Sequence, residues 1–165
     1  MAKLSHYGKS GAVRMVDVTP KPATLRRAIA HSFVRIAPAA LRAIRRLDTP
    51  KGNPLEIARI AGIAAAKRTP ELIPLCHPLP LTHMDVTARL CKNGVEITSE
   101  VTATASTGVE MEALTAAAVA ALTIYDMCKA LDREMEIQEL YLVEKTGGRS
   151  GPYRRSRNRS ARQAR

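Results

Sequence analysis

Aromatic side chains are almost absent from this chain. Four Tyr and one Phe are all it has, and there is no Trp. Hydrophobic residues still make up 45% of the 165 positions, so Ala, Leu, Ile and Val must fill the core. Small side chains let elements approach closely and favour burying helices against other subunits. Cysteine is also scarce. Cys76, Cys91 and Cys128 form no CxxC pair, and an odd count at wide spacing argues against a disulfide framework or a structural zinc site. A reducing compartment fits best. The N-terminal stretch MAKLSHYGKSGAVRMVDVT lacks the apolar segment of a signal peptide, so the expected location is cytoplasmic. Acids are missing from residues 145–165, which hold eight of the 26 Lys and Arg. The other eighteen basic residues face fifteen acids, so most of the net charge of +11 belongs to the C-terminal end. The segment GPYRRSRNRSARQAR has no apolar period and reads as a disordered basic tail. Such a tail attracts polyanions without sequence preference.

Charge is missing in one more place. Residues 113–125, ALTAAAVAALTIY, contain no charged residue, and then Asp126 and Lys129 arrive together. An Ala- and Leu-rich run of this kind predicts a helix. It is shorter than the ~20 residues of a membrane span, so a protein core is expected to take it, and no membrane association. Residues three apart share a helix face. Asp126 and Lys129 therefore project together where a buried helix ends, as a surface ion pair or as part of a site.

The rest of the chain is punctuated by proline and glycine. Residues 1–14 read as a flexible arm, 15–152 as one folded domain and 153–165 as the tail. Residues 25–36 alternate Ala28, Ala30, Ser32, Val34 and Ile36 against Arg27, Ile29, His31, Phe33 and Arg35, which favours a strand over a helix. Residues 38–47 read as a short helix with Pro near its start. Pro54 opens a second helix, PLEIARIAGIAAAKR, whose Leu55, Ile57, Ile60 and Ile63 do not share one face; both of its sides are expected to be covered. Thr69-Pro70-Glu71 begins another helical turn. Residues 81–92 and 95–106 alternate around Asn93-Gly94, the signature of a hairpin. Residues 136–144 form a last strand. Strands mixed with long helices and joined by a hairpin predict an α+β fold, an antiparallel sheet packed against helices.

Several reactive side chains sit beside these breaks. In PLCHPLP three prolines stiffen a loop that carries Cys76 and His77. It is either a structural connector or a preorganised binding segment. A Cys-His nucleophilic pair is disfavoured, because neighbours in an extended segment point to opposite sides. Thr107 and Glu110 match a T-x-x-E capping box, which gives Glu110 a structural role. Glu112 lies beyond the cap on an otherwise apolar helix and needs a partner, a ligand or solvent. Lys51 sits in a Pro/Gly loop, while Lys67 and Arg68 end the second helix, where cations suit the dipole. KTGGRSG, with Lys145 and Arg149, is basic and glycine-rich without matching the Walker A pattern. Several lysines, a carboxylate and a histidine, with no metal-ligand set, suit proton transfer on a phosphorylated, anionic substrate.

The segments MVDV, RIAGIAAAKRTPELIPLCHPLPL, TGVEMEALTAAAVAALTIYDMCKA and EKTGGRSG resemble the cyclic pyranopterin monophosphate synthase family, molybdenum cofactor biosynthesis protein C. The resemblance runs in unbroken order over residues 15–152. It implies a lyase of the phosphorus–oxygen type that converts 3′,8-cyclised dihydro-GTP to cyclic pyranopterin monophosphate and releases pyrophosphate. It implies Asp126, Lys129 and Lys51 as the catalytic centre. It implies substrate contacts from Leu75, Cys76, His77, Met111 and Glu112, and phosphate contacts from Lys21, Lys67 and Lys145. A ferredoxin-like α+β fold follows, as does a homohexamer, a trimer of dimers with active sites at subunit interfaces. If Lys51 and Asp126 came from different chains, mixing inactive variants of the two would restore activity. No cofactor is required, and a role for Mg²⁺ stays open. Arg149 stands where relatives carry Lys, which keeps the charge but alters the geometry. A reading from another class, a nucleic-acid-binding accessory protein driven by the tail, is separated by salt dependence and by tail deletion. A catalytically dead assembly subunit is disfavoured because Asp126, Lys129, Lys51 and His77 are all present.

Overall fold

Alternation in residues 24–35 does make a strand, and that strand is the centre of the molecule. The structure, a computed structural model, describes residues 12–47, 49 and 51–156. Its elements run β1 (Thr24–Arg35), α1 (Pro38–Arg45), α2 (Pro54–Lys67), α3 (Thr69–Leu72), β2 (Leu81–Leu90), β3 (Gly94–Ala105), α4 (Glu110–Cys128), β4 (Glu136–Thr146) and β5 (Tyr153–Arg154). All pairings are antiparallel and the sheet order is β2-β3-β1-β4-β5. Without its fifth strand this is the βαββαβ pattern of the ferredoxin-like fold.

One face of the sheet carries the helices. Ala28, Ala30, Ser32 and Val34 of β1 are fully buried, in register with Val101, Ser99, Ile97 and Val95 of β3. Against them α4 presents Ala113, Ala116, Ala117, Ala120, Ala121 and Ile124, all without solvent exposure. Methyl-sized side chains bring the helix so close that Ser99 Oγ donates to the Ala113 carbonyl at 2.6 Å. The same closeness joins α4 to α2. A Cβ built on Gly62 would lie 2.9 Å from the Ala116 carbonyl oxygen, so glycine is needed there. By length and composition α4 passes as a membrane-crossing helix, yet its place is in this core.

Two expectations meet the structure differently. The hairpin from β2 to β3 turns through Cys91-Lys92-Asn93, with the Cys91 N–H bonded to the Gly94 carbonyl at 2.8 Å. The second helix is covered on one side only: Ile57 and Ile60 are 44% and 61% exposed in the single chain. The opposite sheet face carries charge pairs, Arg27 with Glu100 and Glu144, and Arg35 with Glu136. It also holds His31, buried and stacked on Tyr141 at 5.0 Å. In β4 the apolar residues do not alternate, because register shifts interrupt its pairing with β1 and Glu139 sits in the left-handed region at φ 56°.

Residues 1–11 of the expected arm and 157–165 of the expected tail lie outside the described residues. Tyr153 and Arg154, placed in the tail by the sequence, instead pair with Lys145 and Glu144 of β4.

Candidate active site

The C-terminal end of α4 holds the first cluster. Asp126 is in its last turn and Lys129 is the C-cap residue, where a cation also complements the helix dipole. Lys51 reaches over from the loop before α2, whose start is fixed by Asn53: its Oδ1 accepts from the Leu55 N–H at 3.0 Å. Lys51 Nζ lies 2.7 Å from Asp126 Oδ2, and Lys129 Nζ lies 2.7 Å from Oδ1. The two ammonium groups, Lys129 first, hold the Asp126 carboxyl down at about 2. Asp126 in turn raises Lys129. At neutral pH this is a carboxylate gripped by two cations and open to solvent. Lys51 and Asp126 meet within one chain, so the condition for rescue by mixing variants of these two residues, that they come from different chains, is not met.

The N-terminal end of α4 holds the rest. Glu112 is 3% exposed, and burial pushes its carboxyl up, with the neighbouring Glu110 adding to the effect. It faces a small cavity lined also by Lys67, Pro70, Pro78 and Leu79, so the stiff loop and the end of α2 close on it. Cys76 belongs to the same neighbourhood. Burial raises its thiol, and the Glu112 charge raises it further. His77 is fixed differently: its Nε2 sits 2.8 Å from the Val16 carbonyl. A carbonyl only accepts, so Nε2 carries the hydrogen and Nδ1 is the remaining nitrogen. Leu75 is half-buried beside them and Met111 is exposed.

A third group adjoins the second. Lys21 and Lys145 line an open groove of about 610 Å³ with Arg26, Gly147, Gly148, Arg149 and Ser150. Lys145 Nζ contacts Glu110 Oε1 at 2.8 Å and Ser150 Oγ at 3.1 Å. Glu110 is therefore not half of a capping box. The N-cap is Val109, no side chain caps the helix, and the Glu110 carboxylate serves Lys145. Gly147 takes φ 90°, and a Cβ there would strike the Leu25 carbonyl at 2.2 Å, so only glycine makes this bend.

The sequence missed Arg26 and the role of Glu110. Arg26 donates from Nε to the Ala105 carbonyl at 3.2 Å. A signal existed: Arg26 falls in the phase of Ala28, Ala30 and Val34, where a cation on the core side of a strand needs a reason.

The candidate residues thus form two half-sites at opposite ends of one helix. Glu112 and Asp126 are fourteen residues apart on α4, or ~21 Å at 1.5 Å per residue. Cations paired with a carboxylate at one end, and a buried acid next to a basic groove at the other, are groups suited to acid–base chemistry on an anionic small molecule. The chain belongs to the MoaC family, whose profile matches residues 15–148. It is 57% identical over 155 residues to the cyclic pyranopterin monophosphate synthase of Roseiflexus sp. (strain RS-1), covering 93% of this chain and 98% of that one. It is 56% identical over 163 residues to cyclic pyranopterin monophosphate synthase 1 of Mycobacterium tuberculosis (strain ATCC 25618 / H37Rv), with 98% and 96% covered. The Thermomicrobium roseum protein of the same name is 54% identical over 157 residues, covering 94% and 95%.

Proposed function

We propose that this chain is a cyclic pyranopterin monophosphate synthase, a lyase of molybdenum cofactor biosynthesis. Its substrate is 3′,8-cyclised dihydro-GTP, and its products are cyclic pyranopterin monophosphate and pyrophosphate. The observation that carries this reading is the pairing of Asp126 with both Lys51 and Lys129 in a chain of this family. Rearranging the purine needs proton transfers, and expelling pyrophosphate needs positive charge. Asp126 binds a proton too weakly to shuttle one at neutral pH. Its work is to orient the two lysines, which donate protons and charge. Glu112, with proton affinity raised by burial, is the carboxyl group suited to exchange a proton nearer neutrality. Leu75, Cys76, His77 and Met111 shape the pterin-forming pocket. Lys21, Lys67, Lys145 and the neighbouring arginines receive the phosphates. The positive charge is assigned to these side chains, and turnover with a chelator present tests whether Mg²⁺ is needed.

The site is completed between chains. The outer face of α4 runs from Met111 past Ala118 to the exposed Leu122 and Asp126, and α2, packed against α4, exposes Ile57 and Ile60. Two copies packed antiparallel about Ala118 bring Asp126, Lys51 and Lys129 of one chain to Glu112 of the other. Such a pair holds two equivalent sites, as an isologous contact requires. Three pairs give the hexamer. The protein is taken to act in the cytoplasm, and the basic composition of its C-terminal end suits non-specific contact with polyanions. Incubation of the purified protein with the cyclised intermediate should yield the cyclic phosphate and one pyrophosphate per turnover. Recovery of unchanged substrate from correctly assembled protein would refute the assignment.

A further inference from the structure

The family match ends at residue 148, just where the chain turns back on itself. After Gly147 and Gly148, the Gly151 N–H bonds to the Gly148 carbonyl at 3.2 Å. The chain then returns as β5 alongside β4. Two paired residues are a weak hold for a strand. Three further contacts secure it. The Arg155 N–H bonds to the Val143 carbonyl at 2.8 Å. Arg154 Nε lies 3.8 Å from Glu144 Oε2. The Arg155 guanidinium lies over the Tyr141 ring, 4.4 Å from its centroid. Tyr141 is itself fixed by stacking on the buried His31. The loop enclosed by this return, residues 147–152, is a wall of the basic groove. It supplies Arg149 and Ser150, whose hydroxyl meets Lys145.

We propose that Arg155 is a positioning residue: by clasping Tyr141 it pins β5 and holds the Gly147–Ser150 wall of the groove in its anion-binding form. The clasp sits on the sheet face away from the helices, so it acts on the groove through the backbone of β4 and β5 and not by touching substrate. The inference rests on the reading of that groove as the phosphate subsite. Tyr141 gives the guanidinium a flat π-face to cover, which Lys would use less well.

The test uses full-length Arg155→Ala and Arg155→Lys, with inorganic pyrophosphate as probe. A cation–π contact at an exposed site supports roughly a two- to fivefold change in an equilibrium. Arg155→Ala should raise KM and weaken pyrophosphate binding by roughly that factor, leaving kcat within about twofold. Arg155→Lys should recover part of the loss. Amide hydrogen exchange should quicken in residues 145–153 and not in α4. That last readout is independent of the reaction. Unchanged exchange in Arg155→Ala overturns the clasp. Quickened exchange with unchanged KM and unchanged pyrophosphate affinity overturns its link to the site. Wild-type protein that binds no pyrophosphate overturns the reading of the groove, while exchange still judges the clasp.

Discussion

Lys51 and Asp126, seventy-five residues apart in sequence, meet at 2.7 Å within one chain. Lys129 closes on the other carboxylate oxygen. Exposed ion pairs are individually weak, and these three residues add little to folding. Their arrangement is the one the proposed chemistry needs. Asp126→Asn or Lys129→Ala should therefore lower turnover by about 10²–10⁴-fold, the usual cost of losing an acid–base group. Circular dichroism and melting temperature should stay near those of the unmodified protein. Near-normal turnover by either variant would remove these residues from the catalytic centre.

Asp126 should titrate at about 2, held down mainly by Lys129. A depressed carboxylate adds stability above its unfolded value of 3.8 and loses it as pH falls towards 2. The acid limb of the rate profile, at higher pH, then belongs to another group. In Lys129→Ala the Asp126 carboxyl should move up towards 3.8, read by NMR of the side-chain carbon. An unmoved titration would show that the pair is not formed in solution.

Glu112 behaves in the opposite sense. Burial raises it above 4.5, so the folded state keeps its proton longer than the unfolded chain. Stability from this group is complete below 4.5 and falls as pH rises through the folded value. Glu112→Gln should keep or raise the melting temperature at neutral pH and flatten its pH dependence, while turnover falls. A strongly destabilised Gln variant would show that the ionised carboxylate is structural.

Mixing experiments follow from the proposed division of the site between chains. Lys51→Ala with Asp126→Asn should not complement, because both defects fall in the same half-site. Lys51→Ala with Glu112→Gln should complement, because one interface of a mixed pair keeps both halves intact. Absence of rescue in the second mixture, with mixed assemblies verified by mass, would argue that each chain works alone.

Removing residues 157–165 should leave turnover within a few-fold, since this segment carries no apolar anchor. Removing residues 153–165 should weaken KM as well, because β5 goes with it. Equal behaviour of the two truncations would leave β5 without a role.

The strands and helices were legible where one periodicity dominated. Ala28 to Val34 alternate because one sheet face is buried and the other is not, and the charge-free run in α4 announced a core helix. Glu110 was misread, because a sequence pattern cannot show that Lys145, thirty-five positions later, competes for the carboxylate. Strand β5 escaped notice because two residues carry no period and the basic composition around them imitates disorder. The three members of the Asp126 cluster were legible through resemblance. The composition showed only that two charges end an apolar helix, and Lys51 entered from a loop with no local signal.

One consequence of α4 concerns phase. In the proposed site the helix carries catalytic groups at both ends, so it would work as a ruler with an angular setting. A single residue inserted near Ala118 would turn Asp126 and Lys129 by about 100° relative to Glu112 and lengthen the span by ~1.5 Å. The added length is trivial, but the rotation would swing one half-site off the outer face while leaving both ends chemically intact. Seven inserted residues would bring the angle back to within about 20° and displace the ends by ~10.5 Å. Neither change preserves both settings, so this length of alanine-rich helix is as much a part of the site as the lysines at its end.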